Sequence, residues 1–334
     1  MNRLAHSALL TVIVVAGAAC SQKPGDAPPP TIVPASAAAS PAVTQAPAGT
    51  VRPLGPGLTS VFDEGTRTLA VLSSDSAGQS VLTAFGPAGP PRTVPLPGAA
   101  TALAGDGEGT VYASTRGGYV RIGLADGAVA QFGVDDAADV DFTAITRRGD
   151  GTVVLGSADG AVYTLGDDTA VKARLQIFAR VDALAAQGDT VIVLDRGQTS
   201  VTSVDAAGTK AEHALRAGEG ATTIATDTAG RVLVADTRGE ALLVFGTDPL
   251  MLRQRYPVGG APYGLAGSSG LAWVSQTATN SVVGYDLATG IPVEKVRYPT
   301  VQQPNSLAFD AESDTLYVVS GSGAGVQVIT GASR

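Results

Sequence analysis

The sequence predicts an all-β fold, a seven-bladed β-propeller built from four-stranded blades. The main observation is a strand motif, a small residue followed by an apolar one, that recurs seven times in the 334-residue chain at intervals of 39 to 42 residues. A glycine- or aspartate-rich turn and a second apolar strand follow each copy. A period of about 40–45 residues with four strands per unit is typical of propeller blades. The copies begin at Leu58, Ala100, Phe142, Val181, Ala221, Pro262 and Pro304.

The four strands predicted in each unit differ in character. The first carries a small residue at its third position, because blades converge on a crowded central axis. The second is a short apolar run, as in VIVL at 191–194, which suits a strand covered on both faces. The third alternates, and the fourth is more polar, as expected of an outer edge. A stacked β-solenoid is the alternative architecture, but its coils are usually shorter.

The two ends of the repeat predict how the ring closes. The last unit, from Pro304, supplies three strands, and the sequence reaches Arg334 before a fourth. The segment TVRPL, Thr50 to Leu54, lies just before the first motif and belongs to no other unit. We therefore expect an N-terminal strand to close the last blade, within a propeller domain spanning residues 51–331.

The first nineteen residues have the features of an export signal. Arg3 precedes the apolar run LLTVIVVA (9–16), and small residues lead to Cys20, the only cysteine of the chain. The string GAAC at 17–20 resembles the lipobox of bacterial lipoproteins, in which the cysteine is lipidated. We expect a signal peptide over residues 1–19 and lipidation of Cys20. The alternative is an ordinary signal-peptidase site beside a bystander cysteine.

Residues 20–50 are predicted to be the lipidated cysteine and a disordered tether. Positions 21–50 contain seven prolines, eight alanines and no aromatic residue, too little apolar surface to offset the entropy of ordering. A proline-rich chain extends by about 3 Å per residue, which gives a reach of roughly 90 Å. The protein is thus expected on the extracytoplasmic side of the cell membrane, held there by its lipid.

The charge balance excludes a nucleic-acid partner. Removal of Arg3 with the signal leaves 21 of the 22 Lys and Arg residues against 30 Asp and Glu, a net charge of about −9. No cluster of basic residues interleaved with aromatics is present. Anionic membrane surfaces would repel such a domain, which leaves the lipid anchor as its membrane attachment. We expect a monomer without cofactors.

Two resemblances support these expectations. The unit DTAGRVLVADTRGEALLVF (227–245) resembles NHL- and YVTN-type propeller repeats. The segments FTAITRRGDGTVVLGSADGAVYTL (142–165), LDRGQTSVTSV (194–204) and PVEKVRYPTVQQPNSLAFD (292–310) resemble the mycobacterial LppL lipoproteins. That second resemblance implies a propeller at the cell surface, and it implies no catalytic residues.

The usual catalytic signatures are missing from the sequence. Once the signal is removed, His213 is the only histidine, on a predicted outer strand of blade four. A Ser-His-Asp triad and a histidine-rich zinc site are therefore not expected. The run GDGEG (105–109) is interpreted as a hairpin turn, and Trp273 as packing between blades.

Candidate ligand-binding residues lie in two sets of loops, those before the innermost strands and those between the second and third strands. Asp and Arg occur together at equivalent places in neighbouring blades, in Asp195-Arg196 and in Asp236-x-Arg238. They are interpreted either as ties between blades or as a polar funnel at the channel mouth. The candidates are Arg116, Asp141, Asp159, Arg180, Asp195, Arg196, Asp236, Arg238, Tyr263, Gln276 and Asn305.

Two functions remain in competition. The first is a non-catalytic binding or scaffold propeller at the outer face of the plasma membrane, with an envelope protein, a glycan or a polar small molecule as partner. The second is a metal-assisted lactonase- or lyase-like enzyme. Hard cations prefer several oxygen ligands, and Asp141, Asp182, Asp195 and Asp236 are the carboxylates that such a site would need.

Lipidation is directly testable. Changing Cys20 to Ala removes the only thiol that can accept a lipid, so the variant should stay unprocessed or be released into the medium. Detergent phase partition and the intact mass of wild-type and variant protein measure this. A variant that partitions into detergent with the wild-type mass would contradict the prediction.

Overall fold

The computed structural model describes residues 30–334. The predicted signal peptide and Cys20 lie outside the described residues. Within residues 30–334 the regular structure is β-strand, apart from one short 3₁₀ helix at Thr277–Thr279. No helix in this range has the length and apolarity needed to cross a bilayer. The predicted all-β class is confirmed.

Twenty-eight strands in the described range form seven antiparallel sheets of four. In the N-terminal half they are β1 (Thr50–Arg52), β2 (Gly57–Asp63), β3 (Thr68–Ser74), β4 (Ser80–Phe85), β5 (Arg92–Pro95), β6 (Ala100–Gly105), β7 (Thr110–Thr115), β8 (Gly118–Gly123), β9 (Val129–Gly133), β10 (Phe142–Arg147), β11 (Val153–Ser157), β12 (Ala161–Leu165), β13 (Val171–Gln176) and β14 (Ala183–Gln187). The others are β15 (Thr190–Asp195), β16 (Ser200–Val204), β17 (Ala211–Arg216), β18 (Ala221–Thr226), β19 (Arg231–Asp236), β20 (Ala241–Thr247), β21 (Leu250–Pro257), β22 (Pro262–Gly267), β23 (Leu271–Gln276), β24 (Ser281–Asp286), β25 (Val293–Pro299), β26 (Pro304–Asp310), β27 (Thr315–Ser320) and β28 (Val326–Thr330).

The blades follow the chain in order around a central axis. Blades one to six are β2–β5, β6–β9, β10–β13, β14–β17, β18–β21 and β22–β25, each counted from its innermost strand outward. Blade seven has the order β26, β27, β28, β1. Each innermost strand contacts the next, and β26 contacts β2, so the sheets form a closed ring. The loops between second and third strands and the loops between blades lie together on one side, called the upper face below.

Small residues on the innermost strands permit this close approach. A Cβ added at Gly264 would lie 3.0 Å from the carbonyl oxygen of Asn305 on the next blade. The Oγ atoms of Ser60 and Ser306, at equivalent positions of blades one and seven, are 2.8 Å apart. The predicted requirement for a small third residue therefore has a steric cause at the axis.

The hydrophobic core lies between the blades. The second strands are covered on both sides, as Leu72 and Leu155 illustrate, each with no exposed surface. Leu82 of blade one and Ile122 of blade two belong to one buried cluster. Trp273 is likewise fully buried and stacks on Phe309 of blade seven, with ring centroids 5.9 Å apart. Its predicted role in packing between blades agrees with this position.

The ring closes through the N-terminal strand, as the sequence predicts. β1 pairs antiparallel with β28, and Val51 lies opposite Gln327. The fully buried Gln327 side chain donates to the carbonyls of Ala48 (2.8 Å) and Pro299 (3.0 Å) and accepts from the N–H of Val301 (3.0 Å). Arg52 lies over the Phe85 ring, 4.7 Å from its centroid. Together, β1 and Gln327 of its partner strand β28 therefore connect blades six, seven and one.

The structure differs from the expected tether over residues 30–49, called the N-terminal strap below. The strap has no strand of its own, yet it lies along the upper face and is hydrogen-bonded to blades four to seven. An extended proline-rich chain makes no internal hydrogen bonds, so its N–H and C=O groups are free to pair with another surface. The propeller supplies the partners that composition alone does not reveal.

Removal of β1 should open the ring. A chain lacking residues 21–55 loses the β1–β28 hydrogen bonds, worth about 1 kcal/mol each or roughly 2–4 kcal/mol together. A chain lacking only 21–46 keeps β1 and Ala48 and is the matched control. The thermal unfolding midpoint should be several degrees lower for the longer deletion. Equal midpoints would contradict closure by β1.

Candidate binding face and channel

The innermost strands enclose a central channel of about 610 Å³. Its accessible wall is more polar than apolar, because hydroxyl, amide and main-chain groups are exposed between the apolar side chains. Tyr263 and Asn305 line it near the upper face, because each is the second residue of its strand. Glu64 and Asp227 line it at the opposite end, where Asp227 is paired with Arg231 at 2.6 Å. The upper half of the channel therefore presents uncharged polar groups.

Hydroxyls on the first and second strands connect neighbouring blades around the channel. Thr101 Oγ1 donates to the carbonyl of Phe142 at 2.7 Å, and Ser275 Oγ donates to that of Pro304 at 2.6 Å. Thr223 Oγ1 donates to the carbonyl of Tyr263. These hydroxyls stabilise the contacts between blades, whereas the Tyr263 side chain and the Asn305 amide lie beside the open channel.

Arg196 and Arg238 bind the N-terminal strap. Arg196 Nη2 donates to the carbonyl of Ala35. Arg238 Nη2 donates to the carbonyl of Val33 at 2.7 Å, and its Nη1 donates to that of Glu219 at 3.2 Å. Neither arginine is ion-paired with the aspartate that precedes it in sequence. Both guanidinium groups therefore reach main-chain oxygens across the upper face.

Asp195 and Asp236 are fully buried and brace the loops at the upper face. Asp195 accepts from the N–H groups of Ala179 (2.8 Å) and Gln198 (2.9 Å). Asp236 accepts from those of Glu219 (3.0 Å), Gly220 (2.8 Å) and Gly239 (3.1 Å). A Cβ at Gly239 would lie 2.0 Å from Asp236 Oδ2, so the adjoining glycine admits the carboxylate. Both aspartates hold loop backbone in place.

Asp182 and Arg180 lie in the loop between blades three and four. The Asp182 carboxylate accepts the N–H of Arg196 at 2.8 Å and pairs with Arg180 Nε at 3.2 Å. Burial raises the pKa of this carboxyl, because loss of hydration outweighs the favourable N–H and guanidinium contacts. Asp182 thus fixes the backbone from which Arg196 extends.

Other candidates lie away from the strap. Arg116 pairs with Asp139 (3.1 Å) and Asp141 (3.0 Å) on blades two and three. The hydrogen bond that Arg116 donates to Asp139, together with the charge of Asp141, raises the pKa of the Arg116 guanidinium. Asp159 accepts from Ser157 and Arg174 within blade three. These charges form local pairs.

Gln276 and Asn305 lie close to the second half of the strap. The Gln276 Oε1 atom accepts from Ser281 Oγ (2.8 Å) and Arg297 Nη1 (2.6 Å). Asn305 Oδ1 accepts from Gln303 Nε2 at 3.0 Å. Gln303 in turn contacts the strap at Ala38 and Ser40. Asn305 is therefore connected to both the channel and the strap.

The candidates include neither Asn280 nor the strap residue Ser40, whereas Gln303 lies in one of the loops before an innermost strand, where candidates were expected. Asn280 Nδ2 donates to the carbonyl of Pro41 at 2.8 Å, and Gln303 and Ser40 bond each other through side chain and backbone. Ser40 stands within the run ASAAASPA, which carries no signal that distinguishes it. Asn280 has a left-handed backbone (φ 47°) after the 3₁₀ helix, a position where asparagine is favoured.

The carboxylates of the enzymatic alternative do not form a ligand cluster. Within residues 30–334, no group of three or more His, Cys, Asp or Glu side chains comes close enough to hold a metal ion. His213 lies on the outer strand β17, as the sequence predicts, far from the channel wall. The upper half of the channel offers hydroxyl, amide and main-chain groups, and the carboxylates among the described lining residues, Glu64 and Asp227, lie at its opposite end.

Comparison with known proteins identifies the fold. No protein-family model matches the chain, and no curated protein matches it in sequence. A streptogramin B lyase structure superposes with a TM-score of 0.68 at 10% identity over 85% of this chain and 97% of that one. Virginiamycin B lyase from Staphylococcus aureus gives 0.67 at 11% identity over 84% and 99%. The WD40 propeller domain of Doa1 gives 0.64 at 11% over 84% and 95%.

These likenesses establish the class of the protein, a seven-bladed β-propeller with four-stranded antiparallel blades. At such identities they establish the fold alone.

The buried aspartates should matter for stability far more than the exposed ones. Asp236→Ala leaves three loop N–H groups without an acceptor, at a cost of roughly 3 kcal/mol or more in the free energy of unfolding. Asp141→Ala is the matched control, since its pair with Arg116 is exposed to solvent and such a pair contributes little to stability. Urea unfolding of both variants measures the difference. Equal losses would refute the bracing role.

Proposed function

We propose that the protein is a lipid-anchored, non-catalytic binding or scaffold propeller at the outer face of the plasma membrane. The lipobox-like GAAC at 17–20 and the resemblance to the mycobacterial LppL lipoproteins support this location. Its partner is an envelope protein, a glycan or a polar small molecule, bound at the upper face and the adjoining channel. The protein acts as a monomer and needs no cofactor.

One observation carries the proposal of binding. Arg196 and Arg238, on adjacent blades, direct guanidinium donors onto the main-chain carbonyls of an extended segment. Hydrogen bonds from charged donors are stronger than neutral ones. The loops that carry both arginines are braced from below by Asp195 and Asp236. The upper face is thus a rigid surface with donors already aimed outward, as a binding surface requires.

The alternative is a lactonase- or lyase-like enzyme that uses a divalent metal on channel carboxylates. The superposition with streptogramin B lyase and virginiamycin B lyase favours it at the level of the fold. Its carboxylates, however, are engaged elsewhere: Asp195 and Asp236 accept loop N–H groups, and Asp141 pairs with Arg116. A metal would have to displace these contacts, which weakens the alternative.

Binding and turnover can be separated in one set of measurements. For binding, the immobilised mature chain is exposed to envelope extract, and the labelled chain is applied to a glycan array. For turnover, the chain is incubated with lactone and streptogramin-type substrates in the presence of Mg²⁺. We expect retention of a component that EDTA does not remove, with substrates unchanged.

Channel variants supply the controls. Tyr263→Ala and Asn305→Ala should weaken retention by about tenfold, which corresponds to about 1.4 kcal/mol. Leu252→Ala, on the exposed outer strand β21, should leave it unchanged. Turnover that EDTA abolishes would replace the binding function by the enzymatic one.

A further inference from the structure

The propeller holds the N-terminal strap almost entirely through the strap's main chain. In the first half, the N–H of Ile32 donates to the carbonyl of Gly197 at 2.7 Å. The carbonyls of Val33 and Ala35 accept from Arg238 and Arg196. Three hydrogen bonds within four residues fix the direction of the strap over blades four and five.

The second half repeats this mode of contact over blades six and seven. Gln303 Nε2 donates to the carbonyl of Ala38 at 2.9 Å, and Gln303 Oε1 accepts the N–H of Ser40 at 3.0 Å. Asn280 donates to the carbonyl of Pro41. The Gln303 amide therefore donates to and accepts from the main chain of one peptide segment. A neighbouring strand in a sheet binds a peptide in the same way.

Only two strap side chains are recognised. Ala35 is 7% exposed, and its Cβ would lie 2.9 Å from a Cβ added at Gly220, so this position accepts a small residue. Ser40 Oγ donates to the carbonyl of Thr277 at 2.5 Å. By contrast, Val33 is 81% exposed. The surface therefore selects an extended backbone with a small residue and a hydroxyl five positions apart, and tolerates other side chains.

The strap buries little apolar surface against the propeller. Most of residues 30–46 are exposed, and Ala35 is the only one of them that is buried. A segment with little buried apolar surface opens at low cost in free energy. The strap also contains no charged residue, so no ion pair retains it. A competing peptide of similar composition therefore displaces the strap at a small cost in free energy.

We propose that the upper-face groove between Gly197 and Asn280 is a binding site for an extended, uncharged, proline- and alanine-rich polypeptide segment of a partner protein, with the strap as its resident intramolecular occupant. This inference rests on the proposed binding function and specifies its partner. The partner gains access when the strap dissociates, so the strap competes with the partner for the groove. Extended proline-rich peptides suit such a site because they lose little conformational entropy on binding.

The test dislodges the strap while keeping the full mature chain. Ala35→Trp places a large ring where Gly220 leaves room for a methyl group, and Ala39→Trp is the matched control at an exposed strap position. A fluorescein-labelled peptide of residues 30–42 is titrated into wild type and both variants, with anisotropy as the readout. Hydrogen exchange over residues 30–47 reports release of the strap.

We expect Ala35→Trp to bind the peptide about tenfold or more tightly than wild type or Ala39→Trp does. Adding Arg196→Ala and Arg238→Ala to Ala35→Trp should weaken peptide binding about tenfold or more, because two charge-assisted hydrogen bonds are lost. A peptide that itself carries Trp at the position of Ala35 should not bind. Ala35→Glu is a second variant for the same measurement, and it dislodges the strap by placing a charge, instead of a large ring, at the buried position of Ala35.

Two outcomes of the titration would overturn the inference: no peptide binding by a variant whose strap exchanges freely, or equal binding by wild type and Ala35→Trp. A wild-type dimer in light scattering that the Ala35→Trp substitution dissociates would also overturn it, since the occupant of the groove would then be a second copy of the chain. The first two leave ligand retention at Tyr263 and Asn305 untouched. EDTA-sensitive turnover would instead remove the proposed function without affecting peptide binding. The two proposals therefore fail separately.

Discussion

The whole ring depends on the pairing of β1 with β28. Each blade packs only on its two neighbours, so a break at any interface would let the ring open, and the single cysteine allows no intrachain disulfide to prevent this. The antiparallel register of Thr50 to Arg52 on Val326 to Val328 places both ends of the domain in one sheet. Gln327, buried beneath that pairing, joins it to blade six. Closure also places the chain just before β1 beside blade six, where the N–H of Ala48 donates to the carbonyl of Pro299.

The closed ring sets the chemistry of its own axis. The seven converging strands carry small Ser, Thr, Ala or Gly residues at their third positions. Hydroxyls of these strands, such as those of Thr101 and Thr223, donate to main-chain carbonyls of the next blade. Charged groups are therefore displaced to the loops. There the buried aspartates hold loop backbone, and the arginines are left free to reach outward. Asp236 and Arg238 are two residues apart, yet one stabilises the surface and the other binds across it.

The fold was predictable from sequence because a propeller repeats its local rules. A small third residue, a glycine- or aspartate-rich turn and an apolar second strand recur seven times. The strand missing from the last unit is matched by a spare strand before the first. The strap was not predictable, because composition describes what a segment can bury by itself. Pro34 to Pro41 has no core of its own, and its order comes from Arg196, Arg238 and Gln303. The position of a residue within its blade predicted candidates such as Arg196 and Arg238. Their hydrogen-bond partners lie in the strap, which its composition predicted to be disordered.

If the protein is anchored at Cys20, as we propose, docking of the strap would change the distance between the propeller and the bilayer. Nine residues lie between that anchor and Pro30, where the chain meets blade four beside Ile177 and Arg216. Fully extended, that stretch spans at most about 35 Å, compared with roughly 90 Å for an entirely free tether. The domain would be confined to a shallow layer above the headgroups, with its blade-four edge turned toward the membrane. Release of the strap would nearly triple that height, so occupancy of the groove and distance from the lipid surface would change together.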